Sequence, residues 1–412
     1  MPDQADGDQG VLSGPLNDYF NEMSPRRGHP LILSIAALAL AGGVLIAATR
    51  AGGEDAARAA APATAARSTF RAAAANVHAV PIHSRYETNL RVISRDGGVS
   101  VGLPDGHSLW LFGDTGIFQR AANGWRSTTF IDGSTSFLTK TAKGTVPTGA
   151  ELPSGTPARF IPAPSGVYLP DGSGRPCTYD TAAFPARWPT GAAMFTKTEV
   201  IVTYSVVCVT TPGGHATARA EGWGYMLYNW KTRRIDQAPR DVFEPRPAGT
   251  LFASSKIFGS PRVSGGKVTF FSSQCDTIKA VGCASGRVWA TTVAATTGAL
   301  SNPASYKPTL LATDGSGKWQ PLSISVGHYG NGLRLVEMAT IVGNYKIFKA
   351  PTAGARWHLA RSGTLPGCPT HTGFCLALEG HPDLSTPTQT FVSYKDADSG
   401  PGGHIVISAL PN

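Results

Sequence analysis

From about residue 85 onward, apolar positions fall in short runs and not at the spacing of an amphipathic helix. The runs are rich in Val, Ile, Phe, Tyr and Thr, and Gly or Pro separates them. Short β-branched and aromatic runs between turn residues are typical of β-strands. The pattern therefore predicts an all-β domain.

One two-strand pattern recurs five times in this region. A segment of small residues is followed by a tight turn and then by an aromatic or β-branched strand, and the five copies occupy residues 97–114, 189–207, 259–273, 323–340 and 376–396. This spacing fits four-stranded blades with unequal loops. We therefore predict a five-bladed β-propeller whose small-residue strands are innermost, where bulky side chains would collide. A β-sandwich also alternates strands and turns and is the alternative fold.

The N-terminal region has a different pattern. Residues 31–48 are eighteen consecutive residues without a charge, close to the length that crosses a bilayer as a helix. Arg26 and Arg27 precede this run, whereas Arg50 on the far side is soon followed by Glu54 and Asp55. The positive-inside bias then places the N-terminus in the cytoplasm and the rest of the chain outside. A cleaved signal peptide is the alternative.

These patterns divide the chain into four parts. We predict a cytoplasmic tail at 1–30, a transmembrane anchor at 31–48, an Ala-rich linker at 49–78 and the propeller domain at 79–412. The linker has too few large apolar side chains to fold by itself. The expected localisation is the cell membrane, single-pass with the C-terminal domain outside, or secretion if the N-terminal segment is cleaved.

The cysteines agree with an oxidising compartment. All six follow the predicted anchor, and no two have the C-x2-C spacing of a zinc site. Six cysteines allow fifteen connectivities. Pairing nearest neighbours predicts disulfides Cys177–Cys208, Cys275–Cys283 and Cys368–Cys375.

Charge narrows the choice of partners. Asp, Glu, Lys and Arg make up only 15% of the residues, but 36 basic against 27 acidic residues give a net charge of +9. The basic residues are scattered, and no nucleic-acid-binding motif is present. We therefore expect no nucleic-acid partner, and attribute the excess to attraction toward anionic wall polymers.

The first repeat carries a specific motif. The segments Arg95-Asp96-Gly97-Gly98 and Leu109-Trp110-Leu111-Phe112-Gly113-Asp114-Thr115 resemble the first blade of arabinanase-like five-bladed propellers. The resemblance extends to a group that includes actinobacterial endo-D-arabinanases. That group usually has Thr-Asp-Leu-Gly where this chain has Arg95-Asp96-Gly97-Gly98. The resemblance implies an extracytoplasmic glycoside hydrolase acting on cell-wall polysaccharide, with arabinan as a candidate substrate.

Glycoside hydrolysis needs two carboxyl groups that face one cleft. Asp96 enters the first inner strand and Asp114 leaves the second, so an antiparallel hairpin returns both to the same end of the blade. We predict Asp96 and Asp114 as the catalytic pair, with Glu379 on the fifth inner strand as a third carboxyl group. The alternative for Asp114 is a turn cap at Gly113-Asp114-Thr115.

Further candidate substrate-binding positions lie in blade-start elements that share the resemblance or carry rings that stack on sugars, and they are Trp188, Ser260, His381, Trp223 and Tyr329. The alternatives are packing between blades for the aromatic rings and a hydrogen-bonded inner-strand histidine for His381. No cofactor is expected, although the resemblance allows a central ion such as calcium, or a water, at His381 and His328. We expect a monomer whose partners are wall polysaccharide and, through the anchor, the membrane. The rival function is a propeller that binds glycan without cleaving it.

Overall fold

The structure is a computed structural model. It describes residues 77–169, 171, 173–210, 217–245, 259–279, 281–330, 332–368, 375–396 and 400–411. The predicted tail, the predicted anchor and nearly all of the predicted linker lie outside the described residues. Within the described ranges, no helix has the length and apolar character of a membrane span.

Three blades are four-stranded antiparallel sheets in which the strands lie side by side in the order of the sequence. Blade two consists of β10 (Phe184–Met194), β11 (Glu199–Thr210), β12 (Thr217–Asn229) and β13 (Arg234–Phe243). Blade three consists of β14 (Ser260–Ser264), β15 (Lys267–Lys279), β16 (Gly282–Ala294) and β17 (Thr309–Leu310). Blade four consists of β18 (Ser323–Tyr329), β19 (Gly332–Met338), β20 (Asn344–Ala350) and β21 (His358–Thr364).

Blade one is split into two sheets. The main sheet has the order β2-β9-β8-β5-β4, and its strands are β2 (His83–Ser84), β4 (Val99–Gly102), β5 (His107–Phe112), β8 (Thr135–Lys140) and β9 (Thr148–Leu152). A second sheet has the order β3-β6-β7, and its strands are β3 (Arg91–Arg95), β6 (Thr115–Ala121) and β7 (Gly124–Ile131).

Blade five is completed by the N-terminal strand. It contains β22 (Cys375–Gly380), β23 (Gln389–Asp396), β24 (His404–Pro411) and, on its outer side, β1 (Val77–Pro81). Val77 pairs with Ala409 across this last sheet. The domain boundary predicted at residue 79 therefore falls inside a strand, and the folded domain includes Val77.

The inner strands surround a common axis. β10 contacts β4 and β14, and β18 contacts β14 and β22. The ring closes because Ser100 of β4 contacts His381 and Asp383, which follow β22. Five blades arranged in this way form a β-propeller, as the sequence predicts, and the sandwich alternative is excluded.

Close approach at the axis explains the small residues of the inner strands. A Cβ atom added to Gly191 in β10 would lie 2.3 Å from Pro261 of β14, and one added to Gly327 in β18 would lie 2.3 Å from Pro382. The second strands are instead packed between blades, and every residue of β11 after Glu199 is buried. The steric reason that the sequence suggested for the two strand types is confirmed.

Helix is scarce in the described part of the chain. It is limited to α1 (Thr297–Leu300) and two 3-10 turns, Cys177–Tyr179 and Pro303–Ser305. The three predicted disulfides, Cys177–Cys208, Cys275–Cys283 and Cys368–Cys375, are all present. The first of them ties the loop before blade two to β11, and the other two close short local loops.

Candidate functional site

A cavity of about 80 Å³ lies at the ends where the inner strands begin. A single water needs about 10–15 Å³, so the cavity admits a ligand of several heavy atoms. All five blades contribute to its wall, which is lined by Asp96, Gly97, Val99, Gly113, Trp188, Pro189, Thr190, Trp223, Gly259, Phe271, Ser272, Ser273, Ser323, Ile324, Ala377 and Glu379.

Asp96 is a cavity carboxylate that pairs with a buried cation. It stands just before β4, and its backbone N–H donates to the carbonyl of Asp114 at 3.1 Å, which confirms that the hairpin brings the two residues side by side. Its carboxylate forms an ion pair with the Lys395 ammonium of β23, and both side chains are at most 5% exposed. A neighbouring cation favours the ionised form of a carboxylate.

Glu379 reaches the cavity because of a bulge in β22. The register between β22 and β23 shifts between Leu376 and Glu379, and Ala377 adopts a left-handed backbone with φ of 52°. Bulges and strained residues of this kind re-aim side chains near functional sites. Burial raises the pKa of Glu379 to about 8, against the opposing effect of a hydrogen bond with Ser325. Glu379 therefore holds a proton at neutral pH.

Asp114 lies behind the cavity wall. Its Oδ1 accepts hydrogen bonds from Trp188 Nε1 at 2.9 Å and from the Gly133 amide at 2.7 Å. Burial, together with the nearby charge of Asp96, raises the pKa of Asp114 to about 8. Because these contacts bind Asp114 to other segments, it is not the local turn cap that the sequence offered as an alternative. The contacts instead orient the Trp188 ring.

Two tryptophans and several hydroxyls form the rest of the wall. Trp188 and Trp223 both border the cavity, together with Asp96. The hydroxyls of Ser272 and Ser323 are buried and have no hydrogen-bond partner among the described residues. Indole surfaces beside free hydroxyls suit a sugar, which presents C–H faces and hydroxyl groups.

Ser260 and Tyr329 do not reach the cavity. The Ser260 hydroxyl bonds both the carbonyl and the amide of Val326, at 3.1 and 3.2 Å, and so links blades three and four. Tyr329 lies at the far end of β18, where Arg334 stacks on its ring. Neither residue, both predicted to bind substrate, lines this cavity.

His381 is fully buried in a polar network near the axis. Its Nδ1 contacts the Ser100 hydroxyl and its Nε2 the Ser393 hydroxyl, both at 2.7 Å, and its ring stacks on Trp110. Burial lowers the pKa of His381 to about 3, so the ring is neutral. With both nitrogens engaged, it does not fit the central cation that the resemblance allows. The described residues contain no group of three or more His, Cys, Asp or Glu side chains that would hold a metal.

Sequence reasoning missed Lys395 and the bulge at Ala377. One signal was available for Lys395, since it directly follows the apolar and aromatic run of β23, whose residues after Gln389 are all buried, and a buried ammonium needs a partner. No sequence signal marks Ala377, because alanine rarely adopts a left-handed backbone.

The carboxyl groups near the cavity predict a loss of stability as pH rises. Asp114 and Glu379 keep protons in the folded chain that the unfolded chain releases above its ordinary carboxyl pKa. Stability is therefore full at low pH and falls between about pH 4 and pH 8, by 1 kcal/mol or more, since one pKa unit represents about 1.4 kcal/mol. Urea unfolding at about pH 5 and about pH 8 measures this fall. The double variant Asp114→Asn/Glu379→Gln should make the fall smaller, and an unchanged pH dependence in that variant would contradict the assignment.

No family model matches this chain, and no curated protein matches it. Among solved structures, a protein from Bacteroides ovatus is 14% identical with a TM-score of 0.49, over 77% of this chain and 85% of the other. An α-L-arabinanase from Penicillium chrysogenum, solved with arabinobiose, is 12% identical with a TM-score of 0.40, over 82% and 98%.

A family 117 glycoside hydrolase from the marine bacterium Zobellia galactanivorans is 11% identical with a TM-score of 0.42, over 81% of this chain and 89% of the other. At such identities and TM-scores, similarity assigns neither a reaction nor a substrate. The propeller fold itself rests on the sheet order described above, and the closer relationship to endo-D-arabinanases stays a prediction.

Proposed function

We propose that this chain is a glycoside hydrolase that acts outside the cytoplasm on cell-wall polysaccharide. One observation carries the proposal: a single cavity on the propeller axis is bordered by the carboxyl groups of Asp96 and Glu379 and by Trp188 and Trp223. Two carboxyl groups in one cleft are the usual requirement for glycoside hydrolysis.

The environments of the two carboxyl groups divide the chemical roles. Glu379 is protonated at neutral pH because of its burial, so it donates a proton to the leaving glycosidic oxygen. Asp96, paired with Lys395, serves as the base or nucleophile on the other face of the sugar. Carboxyl groups whose environments differ in this way are the pattern expected of an acid and a base. We assign Asp114 to positioning Trp188.

The Asp96–Lys395 ion pair also favours a second candidate, the non-catalytic glycan-binding propeller. A carboxylate held by a buried ammonium is a weaker base than a free one. The same cavity would then bind a sugar through Trp188, Trp223 and the free serine hydroxyls, without cleaving it.

Hydrolysis and binding are separated by one screen. The full-length chain is incubated with arabinan, galactan and whole-wall polysaccharide, and released reducing ends are measured beside binding to the same polymers. We propose arabinan as the substrate, from the first-blade motif. Release of reducing ends supports the hydrolase, and binding without release supports the glycan-binding propeller. If the chain neither cleaves nor binds any of these polymers, both proposals are contradicted.

We also propose that residues 31–48 anchor the chain in the membrane with the propeller outside. The three disulfides support this location, because disulfides persist in oxidising compartments. A reporter fused after Asn412 should be active outside the cytoplasm and one fused before Met1 inside. Cytoplasmic activity of the C-terminal fusion would contradict the proposed location. A membrane-free product that lacks the N-terminus would instead show cleavage and secretion.

A further inference from the structure

Two of the side chains that border the cavity directly follow a buried arginine. Arg95 comes before Asp96, at the end of β3. Arg187 comes before Trp188, in the inner strand β10. Both arginines are buried, and neither lines the cavity. Arginine is rarely buried unless it is paired, so the partners of these two cations show what they hold in place.

Arg95 joins the two sheets of blade one. It belongs to β3 of the smaller sheet, but its guanidinium forms an ion pair with Glu151 of β9 in the main sheet, and both side chains are at most 5% exposed. The guanidinium also lies 4.4 Å from the centre of the Phe112 ring, a cation–π contact. The next residue, Asp96, pairs instead with Lys395 of blade five. Two buried ion pairs therefore hold adjacent residues toward different blades.

The chain on the other side of Asp96 restrains it less. Two glycines follow it, with φ of 72° at Gly97 and 157° at Gly98. Glycine is the residue with the fewest restrictions on its backbone. The fixed side chain next to Asp96 along the chain is therefore that of Arg95.

Arg187 is held in a similar way in blade two. Its Nε and Nη2 donate to the two carboxylate oxygens of Asp241 in β13 at 3.1 and 2.7 Å, and its Nη1 donates to the Pro162 carbonyl at 2.7 Å. Paired hydrogen bonds of this kind fix the direction of a guanidinium. Successive side chains of a strand point to opposite faces. A fixed Arg187 therefore directs the Trp188 ring to the other face of β10, where it borders the cavity.

We propose that Arg95 and Arg187 are positioning residues of the candidate hydrolase site. Arg95 fixes the direction of the Asp96 carboxylate. Arg187 fixes the direction of the Trp188 ring. This inference rests on the proposed function, because it takes the carboxylate as the base or nucleophile and the indole as a surface for the sugar. Such groups have to be held within about 0.5 Å of their productive positions, and side chains outside the cavity supply that restraint.

Two neutral double variants of the full-length chain test the two roles separately. The blade-one variant is Arg95→Met/Glu151→Gln, and the blade-two variant is Arg187→Met/Asp241→Asn. Each removes both charges of its ion pair, so no buried charge is left without a partner and the fold is retained. The measurements are kcat and KM for the wall polysaccharide that the wild type cleaves.

The two variants should differ in their kinetics. The blade-one variant should lower kcat at least about tenfold with KM nearly unchanged, because it displaces the Asp96 carboxylate that acts on the reacting bond. The blade-two variant should raise KM about two- to tenfold, the range of a single aromatic contact, with kcat nearly unchanged. A purely structural role would give no such division between the two constants.

Two further variants serve as controls. Arg287→Met/Asp276→Asn removes an ion pair of blade three, and neither of its residues lines the cavity. It should keep the wild-type kcat and KM. Arg95→Lys keeps a cation opposite Glu151, so it should keep most of the wild-type kcat.

The indole N–H of Trp188 supplies a readout that needs no substrate. It donates to Asp114 Oδ1 in the folded chain, and its nuclear magnetic resonance signal is identified by its loss in Trp188→Phe. The blade-two variant should shift this signal, whereas the blade-three control should leave it in place.

Failure of the proposed function and failure of the positioning roles give different results. A wild type that neither cleaves nor binds wall polysaccharide contradicts the function and the positioning roles together. A wild type that binds without cleaving contradicts the role of Arg95, but the blade-two variant should still weaken binding about two- to tenfold. If the wild type cleaves and both double variants behave like the blade-three control, or if the Trp188 signal does not shift, only the positioning roles are overturned.

Discussion

Glu379→Gln is expected to slow hydrolysis of the active wall polysaccharide by about 10²- to 10⁴-fold, the contribution of a general acid. Gln has nearly the same volume as Glu and, like a protonated Glu, is neutral. Because burial keeps the proton on Glu379 at neutral pH, the exchange should leave the melting temperature almost unchanged. Rates and melting temperatures of wild type and variant are compared at neutral pH.

Glu337→Gln is the matched control for this variant. Glu337 is also fully buried, and burial raises its pKa to about 7, but it does not line the cavity. The Glu337→Gln variant should therefore hydrolyse the polysaccharide at the wild-type rate. The wild-type rate should also decline above about pH 8 as Glu379 loses its proton. Equal rates in wild type and Glu379→Gln would remove Glu379 from the mechanism.

Lys395→Met is expected to destabilise the fold by about 3–5 kcal/mol, the cost of breaking a buried ion pair by removing one partner. The methionine fills similar volume but leaves the Asp96 carboxylate buried without its cation. Urea unfolding of the full-length chain measures the loss. Asp96→Asn alone should also destabilise, because it leaves Lys395 unpaired.

The double variant Asp96→Asn/Lys395→Met distinguishes the ion pair from simple packing. Because it leaves neither charge behind, it should recover most of the lost stability. A double variant as unstable as the sum of the two single variants would show that the two residues act independently. This result also bears on catalysis, because a rate lost in Asp96→Asn has to be corrected for any loss of folded protein.

The fold was largely predictable because its signals are local. The turn between β4 and β5, and the alternation of small inner and bulky second strands, occur within about twenty residues of each other. Closure by β1 was not predictable in this way. Val77–Pro81 is only five residues long, and its partner β24 lies at the other end of the chain.

The site was predictable in part, for a related reason. The hairpin pattern placed Asp96 and Asp114 side by side, but the direction of the Asp114 side chain depends on Trp188 and Gly133, which belong to distant segments. His381 resembled a ligand-binding residue because it begins a blade-start motif, yet serine hydroxyls from two blades enclose it. Contacts between blades determine both the direction of the Asp114 side chain and the role of His381. Such contacts produce no periodic pattern in a single sequence.

The pairing of β1 with β24 makes folding of the last blade depend on the order of synthesis. Among the described strands, β1 is the first to be made, and its neighbour in the sheet, β24, is the last. Contacts so distant in sequence form slowly, because the entropy of closing a long loop is lost before the contacts stabilise the sheet. Until β24 has been made, β1 has no partner in its sheet. A chain truncated by its final nine residues would lack β24 and, with it, the pairing partner of β1.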